Sequence, residues 1–164
     1  MNQEISLIRL QEHHLPLIRQ WRNENRSAFF DETEVSEEMH QEWWKRHEHQ
    51  VRVGREDFWV IRGPHGLVGQ ASLYNINADR TAEFGRMIVL PPFRRQGYGT
   101  QIVSEVCQWA QSAHGVRRID LAVRADNLAA YRLYRSCGFV LTEGPRPPEW
   151  PAGMSIHKMM RVMR

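Results

Sequence analysis

The stretch FRRQGYG, at residues 93–99, constrains the fold more than any other part of the sequence, because it joins two segments of different periodicity. The segment before it, TAEFGRMIVL at 81–90, predicts a long strand, and the segment after it predicts an amphipathic helix over 98–112. Glycines let backbone N–H groups approach a ligand closely, and a helix N-terminus carries partial positive charge. The stretch therefore predicts either an anion held at the start of the helix or a plain turn before an ordinary amphipathic helix.

Two common nucleotide-binding motifs do not fit this stretch. The sequence contains no GxxxxGK followed by Ser or Thr, which excludes a P-loop. The dinucleotide-binding fingerprint also fails, because Gly97 and Gly99 are followed by Ile102 where a third glycine belongs.

The other periodic segments predict an α/β domain with a central, mostly antiparallel twisted sheet of six to seven strands, flanked by about four helices. Strands are predicted over 5–10, 57–63, 67–76, 81–90, 117–123, 139–143 and 155–162. Helices are predicted over 15–26, 35–50, 98–112 and 127–137. No repeat or linker divides the chain, so one domain is expected over residues 1–164.

Composition argues against several classes of function. A net charge of +3 over 164 residues is too small for a nucleic-acid-binding footprint. No apolar run reaches the roughly 20 residues that span a bilayer, so no membrane partner is expected. Two cysteines without a CxxC pair and a start without a signal peptide favour the reducing cytoplasm. The eight histidines include the pair at 13–14 and the two around Glu48, whose spacing does not suit a metal site, so no metal is expected.

Two motifs in a fixed order resemble those of the GNAT superfamily of N-acetyltransferases. The pyrophosphate-binding signature of that family, R/Q-x-x-G-x-G/A, is matched by RRQGYG at 94–99. Its second half, N-x-x-A-x-x-L-Y-x-x-x-G-F, is matched by Asn127, Ala130, Leu133, Tyr134, Gly138 and Phe139. With the preceding strand, the motifs span residues 87–139, about a third of the chain.

The resemblance implies a GNAT-like domain that uses acetyl-CoA as cosubstrate. Residues 81–139 would form the acetyl-CoA-binding core, 1–80 the acceptor side, and 140–164 the C-terminal strands and a loop. Backbone N–H groups of the glycine loop would bind the pyrophosphate, while the preceding strand would pair with the pantetheine arm and polarise the thioester carbonyl. The residues implied for coenzyme binding are Met87, Ile88, Val89, Arg94, Arg95, Gln96, Gly97, Tyr98, Gly99, Thr100 and Asn127.

Acetyl transfer to an amine needs an acid for the departing thiolate and a base for the amine proton. The resemblance places Tyr134 at the family's general acid, although simple packing beside Tyr131 also accounts for this residue. Glu83 is the leading base, acting directly or through water, and an exposed strand carboxylate is the alternative interpretation. Glu149, His157 and a chain of waters are further candidates for the base.

The N-terminal third is expected to bind the acceptor. It contains WRN at 21–23, which resembles acetyltransferases that act on small amines, including amino sugars and sugar nucleotides. The residues implied for acceptor binding are Trp21, Arg22, Asn23, Arg26 and Phe30. Arginines beside aromatic rings suit a planar base or a sugar phosphate, and Asp31 and Glu32 would attract an ammonium group. The alternative is a capped helix end followed by a solvated loop.

The sequence thus predicts an enzyme that moves an acetyl group from acetyl-CoA to a primary amine of a small molecule by direct attack, with homodimer formation left open. One alternative is a protein N-terminal acetyltransferase of the ribosomal-protein type. It is weakened because the glutamate that such enzymes carry in the strand LAV is replaced here by Ala122. The other alternative is a coenzyme-binding regulatory module that has lost the chemistry.

Overall fold

A computed structural model describes residues 4–164 and contains a seven-stranded sheet with four α-helices packed against it. The strands are β1 (Ser6–Arg9), β2 (Asp57–Gly63), β3 (Gly66–Tyr74), β4 (Thr81–Val89), β5 (Arg118–Arg124), β6 (Val140–Leu141) and β7 (Ile156–Val162). The helices are α1 (Leu15–Glu24), α2 (Glu37–Arg52), α3 (Tyr98–His114) and α4 (Leu128–Ser136). The predicted fold class is therefore confirmed.

The sheet has the order β1-β2-β3-β4-β5-β7-β6, and its neighbours are antiparallel except for β4 and β5. These two parallel strands pair only where Thr81–Glu83 meets Arg118–Asp120. Beyond this point β5 continues with β7, while β4 continues with β3. The sheet therefore opens between β4 and β5 along the second half of β4.

Two hydrophobic clusters lie on opposite faces of the sheet. The first contains the buried stripe of α3 together with Trp59, Phe84, Ile119 and Met159. The stripe consists of Ile102, Val103, Val106 and Ala110, as the helical spacing predicts. The second cluster joins α1 and α2 to the other face through Leu15, Ile18, Trp21, Trp44, Phe58, Val60 and Ile88.

Side-chain caps define the starts of α2 and α4. Ser36 caps α2 by accepting a hydrogen bond from the Met39 N–H at 3.2 Å, and Asn127 caps α4 in the same way. The strand predicted over 139–143 is shorter than expected, since only Val140–Leu141 pairs with β7. Both of these residues are exposed, so little burial supports a longer strand there.

Asp57, at the start of β2, connects three elements through its buried carboxylate. Oδ1 accepts from Arg9 Nη1 at 2.9 Å, while Oδ2 accepts from Trp109 Nε1 at 2.9 Å and from His114 Nε2 at 2.7 Å. The imidazole nitrogen must be the donor because a carboxylate only accepts. These bonds fix β1 and the end of α3 to the start of β2.

We expect Asp57→Ala to lower the free energy of unfolding by about 2–4 kcal/mol, because it leaves the partly buried donors of Trp109 and His114 without an acceptor. Urea denaturation would measure the loss. Asp120→Ala is the matched control, since this carboxylate is more exposed and pairs only with Arg118; its cost should stay below about 1 kcal/mol. Equal losses for the two variants would contradict the role given to Asp57.

Candidate active site

The glycine loop before α3 has the backbone geometry of an anion-binding turn. Gly97 is the N-cap of α3 with φ +87°, and Arg95 also lies in the left-handed region with φ +59°. Left-handed residues at 95 and 97, with Gln96 between them, turn successive N–H groups toward one concave side of the loop. No heavy atom lies within 4 Å of where a Gly97 Cβ would stand, so space is open there. The free N–H groups of the first helical turn could therefore face a ligand.

The second glycine of the loop serves packing. A Cβ at Gly99 would lie 2.9 Å from Leu133 Cδ2, so the start of α3 and the middle of α4 approach closely. This contact brings α4, which carries Tyr134, beside the loop. The sequence motif alone did not separate this packing role from the conformational role of Gly97.

The arginines and the glutamine of the loop have different surroundings. Arg94 donates from Nε to the Val89 carbonyl at 2.9 Å and from Nη2 to Asn25 Oδ1 at 2.7 Å. Gln96 Nε2 donates to the carbonyl of Pro92 at 2.8 Å. Arg94 and Gln96 therefore stabilise the loop, while Arg95 is exposed and free to meet a phosphate.

The other predicted coenzyme residues offer mainly backbone groups. Tyr98 is buried, with its ring edge-on to Phe93, so its N–H group alone is available at the helix start. Thr100 is exposed in the first turn. Asn127 uses Oδ1 to accept from the Ala130 N–H at 3.2 Å and so caps α4.

A bulge in β4 changes which side chains of this strand point to each face of the sheet. Gln70 of β3 lies opposite Ile88 and Ser72 lies opposite Gly85, so two residues of β4 match the single residue between them on β3. Arg86, within the bulge, has φ +52°. Before the bulge Phe84 faces α3, whereas after it Ile88 packs with α1 and α2. The bulge thus turns Met87 and Val89 toward the α3 side, where the sheet is open.

Tyr134 lies in α4 against the α3 face of the sheet. It is 8% exposed, and its ring packs edge-on against Phe84 with centroids 6.0 Å apart and against Phe139 at the same distance. Burial raises the pKa of Tyr134 well above its ordinary value. The hydroxyl therefore stays protonated at neutral pH, as a proton donor must.

Glu83 lies on β4, on the face opposite to Phe84, and is half-buried. Its Oε2 accepts from Asn75 Nδ2 at 2.6 Å, and its neighbour across the β3–β4 ladder is Tyr74. Burial, followed by the charge of Glu83, raises the pKa of Tyr74 to about 12. A carboxylate in this position could take a proton through water, which stays a prediction.

On the face opposite to α3, a cavity of about 360 Å³ lies between α1, α2 and the sheet. Its lining is Ile18, Arg19, Arg22, Phe29, Val35, Met39, His40, Trp43, Arg46, Phe58, Gln70 and Arg86. The guanidinium of Arg22 lies over the Phe29 ring, 4.1 Å from its centroid. Arg22 is thus the one predicted acceptor residue that lines this cavity.

The other predicted acceptor residues have structural contacts. Trp21 is buried in the α1–α2 cluster, and the side-chain amide of Asn23 both donates to the Val35 carbonyl at 3.0 Å and accepts from the Val35 N–H at 2.8 Å. Arg26 is 3.7 Å from a carboxylate oxygen of Glu34. The ring of Phe30 lies 5.8 Å from that of Trp150, so the loop between β6 and β7 contacts the segment between α1 and α2.

A buried polar group behind the bulge was not predicted from the sequence. Glu56 is 7% exposed; its Oε1 accepts from Arg86 Nη1 and lies 3.1 Å from Nδ1 of the buried His47. The ring of Trp43 stacks on His47 at 5.0 Å. These contacts hold the Arg86 side chain at the cavity. Gln70 was also missed, although a glutamine within the apolar run LVGQAS is a signal that could have drawn attention to it.

Within residues 4–164, no three His, Cys, Asp or Glu side chains lie close enough together to hold a metal ion. No helix in that part of the chain is both long and apolar enough to cross a bilayer.

Comparisons with known proteins agree on one family. The model of the acetyltransferase (GNAT) family matches residues 15–139. Spermidine N(1)-acetyltransferase of Vibrio cholerae is 28% identical over 143 residues, which cover 85% of this chain and 81% of that protein. The crystal structure of spermidine N-acetyltransferase from V. cholerae in complex with CoA and spermine superposes with a TM-score of 0.81 at 25% identity, covering 96% and 95% of the two chains. A chimeric variant of that enzyme has a TM-score of 0.80 at 21% identity with the same coverage, and shows the shared fold.

The glycine loop yields a test of coenzyme binding. We expect Gly97→Val to reduce affinity for acetyl-CoA at least tenfold, because a branched side chain would fill the open space and disfavour the left-handed conformation. Isothermal titration calorimetry would measure the change.

Gly115→Val is the matched control for this variant. Gly115 ends the same helix, also with positive φ and no atom within 4 Å of its missing Cβ, so both variants carry similar backbone strain. Equal affinity of the two variants for acetyl-CoA would show that the loop does not bind the pyrophosphate.

Proposed function

The chain belongs to the GNAT family of acetyltransferases and is an acetyl-CoA-dependent acyltransferase; we propose that its acceptor is the primary amine of a small molecule. The observation that carries this proposal is the opening between β4 and β5 beside the bulge. One side of β4 there faces the glycine loop and Tyr134, while the other side faces the cavity. A donor and an acceptor that approach from opposite sides can meet at this strand.

The residues of the loop and of β4 fit the coenzyme. Open space above Gly97, together with the unpaired N–H groups of the first turn of α3, suits a pyrophosphate. The backbone from Met87 to Val89 lies beyond the end of the β4–β5 ladder and can pair with the amide groups of a pantetheine arm. Acetyl-CoA supplies the acetyl thioester; the chain supplies its orientation and the hydrogen bonds that polarise its carbonyl.

Direct transfer forms a bond between the amine nitrogen and the acetyl carbon and breaks the bond between that carbon and sulfur. Tyr134 donates its hydroxyl proton to the departing sulfur, a role supported by the position of α4 beside the glycine loop. The amine loses a proton to Glu83 through intervening water; this carboxylate lies on the face of β4 opposite to Phe84, in the segment that pairs with β5 and outside the lining of the cavity.

Among acceptors, small amines have the strongest support. The V. cholerae relative is by its name a spermidine acetyltransferase, and the WRN segment keeps amino sugars and sugar nucleotides among the candidates. Neither a protein N-terminus nor a non-catalytic role is favoured by the comparisons.

Thiol release from acetyl-CoA over a panel of amines tests the proposal. The panel contains polyamines, amino sugars, amino-sugar nucleotides, amino acids and short peptides with free N-termini. We expect turnover with one class of small amine and little with peptides. Turnover with peptides alone would contradict a small-molecule acceptor.

Tyr134→Phe tests the proton donor. Removing the hydroxyl should lower kcat about 10²–10⁴-fold while leaving affinity for acetyl-CoA nearly unchanged, because the ring still fills its place in the core. Tyr131→Phe, on the same helix with its ring against His157, is the control and should keep its activity. If Tyr134→Phe retained full kcat, another group or water would be the acid.

A further inference from the structure

We propose that the amine acceptor also carries an anionic group, a carboxylate or a phosphate, and that Arg19, Arg22 and Arg46 bind this group in the cavity between α1 and α2. The inference rests on the proposed function, because it concerns the acceptor of the same reaction. It differs from the substrate named for the V. cholerae relative, which is a polyamine without an anionic group.

The charge of the cavity is the first support. Four arginines line it, and no aspartate or glutamate does. Arg86 alone among the four is paired with a carboxylate, that of Glu56. Within residues 4–164, Arg19 and Arg46 form no ion pair, although the charge of Arg19 acts on Glu38 and His40 at the helix surface. Three of the four arginines therefore have no ion-paired carboxylate in the described part of the chain, although the charge of Asp31 acts on Arg22.

The acidic residues nearby lie outside the lining of the cavity, and among them Asp31 acts on Arg22 through its charge. Glu32 accepts from Arg124 Nη1 at 2.6 Å, and Glu34 pairs with Arg26. These carboxylates lie on the segment between α1 and α2, outside the lining of the cavity. A polyamine in the cavity would therefore place its additional ammonium groups beside guanidinium groups, at a cost in like-charge repulsion.

Two unsatisfied polar atoms show what the ligand must provide. Gln70 is 3% exposed; its Nε2 donates to the Arg86 carbonyl at 3.0 Å, which leaves Oε1 without a partner in the described part of the chain. Nη1 of Arg22 is likewise buried and unpartnered there, while its Nη2 donates to the Asp31 carbonyl. Buried polar groups are nearly always paired in native proteins. A ligand with an ammonium for Gln70 and an anionic oxygen for Arg22 would satisfy both.

The position of Gln70 would also place the amine near β4, where acetyl transfer is proposed to occur. Gln70 lies opposite Ile88 in the β3–β4 ladder, and Arg86 directly precedes Met87. An ammonium at Gln70 would thus stand beside the segment that is proposed to hold the thioester. The arginines of α1 and α2 lie at the helical walls of the cavity, where they would hold the other end of the molecule. Between them, Phe29, Trp43 and Phe58 provide apolar contacts for its carbon skeleton.

His40 of α2 also lines the cavity, and its lowered pKa is consistent with burial beside the positive charge of Arg19. Burial, followed by the charge of Arg19, lowers its pKa to about 4. His40 is thus neutral at neutral pH, and can accept or donate a hydrogen bond without adding charge.

Matched pairs of amines test the proposal, with CoA present at saturation so that the glycine loop is occupied. The first pair is 4-aminobutyrate and putrescine, which have equal chain length and differ in a carboxylate replaced by an aminomethyl group. The second is glucosamine 6-phosphate and glucosamine. We expect calorimetry to show at least tenfold tighter binding of the anionic member of one pair, and thiol release from acetyl-CoA to show the same preference in kcat/KM. The pair that shows it distinguishes a carboxylate from a phosphate.

Arg46→Gln and Arg19→Gln should each remove most of this preference, while Arg52→Gln, on the same helix α2 but outside the cavity, should retain it. Preferred binding and acetylation of putrescine, or equal binding of the members of both pairs, would overturn the anionic acceptor and leave the proposed function intact. Tight binding of an anionic amine without any thiol release would support the cavity assignment and count against the proposed reaction.

Discussion

The bulge in β4 is the constraint on which the rest of the site depends. By placing two residues opposite one, it reverses which side chains of the strand face α3 and which face α1 and α2. Phe84 can then pack under Tyr134 while Ile88, four residues later, closes the second cluster. A regular strand would keep residues of the same parity on one face throughout, so Phe84 and Ile88 would both face α3.

Close approaches of backbone and side chain maintain this geometry. A Cβ at Gly69 would lie 2.0 Å from the carbonyl oxygen of Ile88, and one at Gly85 would lie 2.8 Å from the hydroxyl of Tyr74. Both contacts are on or beside the bulge, so β3 and β4 fit together only with glycine at these positions. The ring of Tyr74 in turn lies under the guanidinium of Arg86, 4.5 Å from the ring centroid, and this guanidinium also bonds Glu56. The side chain of Arg86 is therefore held both by a ring contact and by an ion pair.

The parts of the site that are continuous in sequence could be predicted, and the parts assembled from distant residues could not. The loop at 94–99 and the capped helix predicted over 127–137 have local signals in glycine and asparagine, so their place in the fold followed from the sequence. The cavity combines Arg19, Gln70 and Arg86, whose proximity depends on strand register and on a bulge that no periodicity reveals. WRN at 21–23 was only partly informative, because Asn23 serves the backbone of the next segment while Arg22 alone reaches the cavity.

The hydrogen bond from Arg94 to Asn25 has a consequence for how the two substrates influence each other. Asn25 ends α1 and also donates from Nδ2 to the Trp21 carbonyl at 2.8 Å, so the coenzyme loop is tied to the helix that carries Arg19 and Arg22. If the loop shifts when the coenzyme binds, the shift would be transmitted to α1 through this guanidinium. Any resulting change in acceptor affinity must be matched by an equal change in coenzyme affinity when the acceptor binds first, since such coupling is reciprocal. The affinity of each substrate would then depend in part on whether this contact has been shifted by the other.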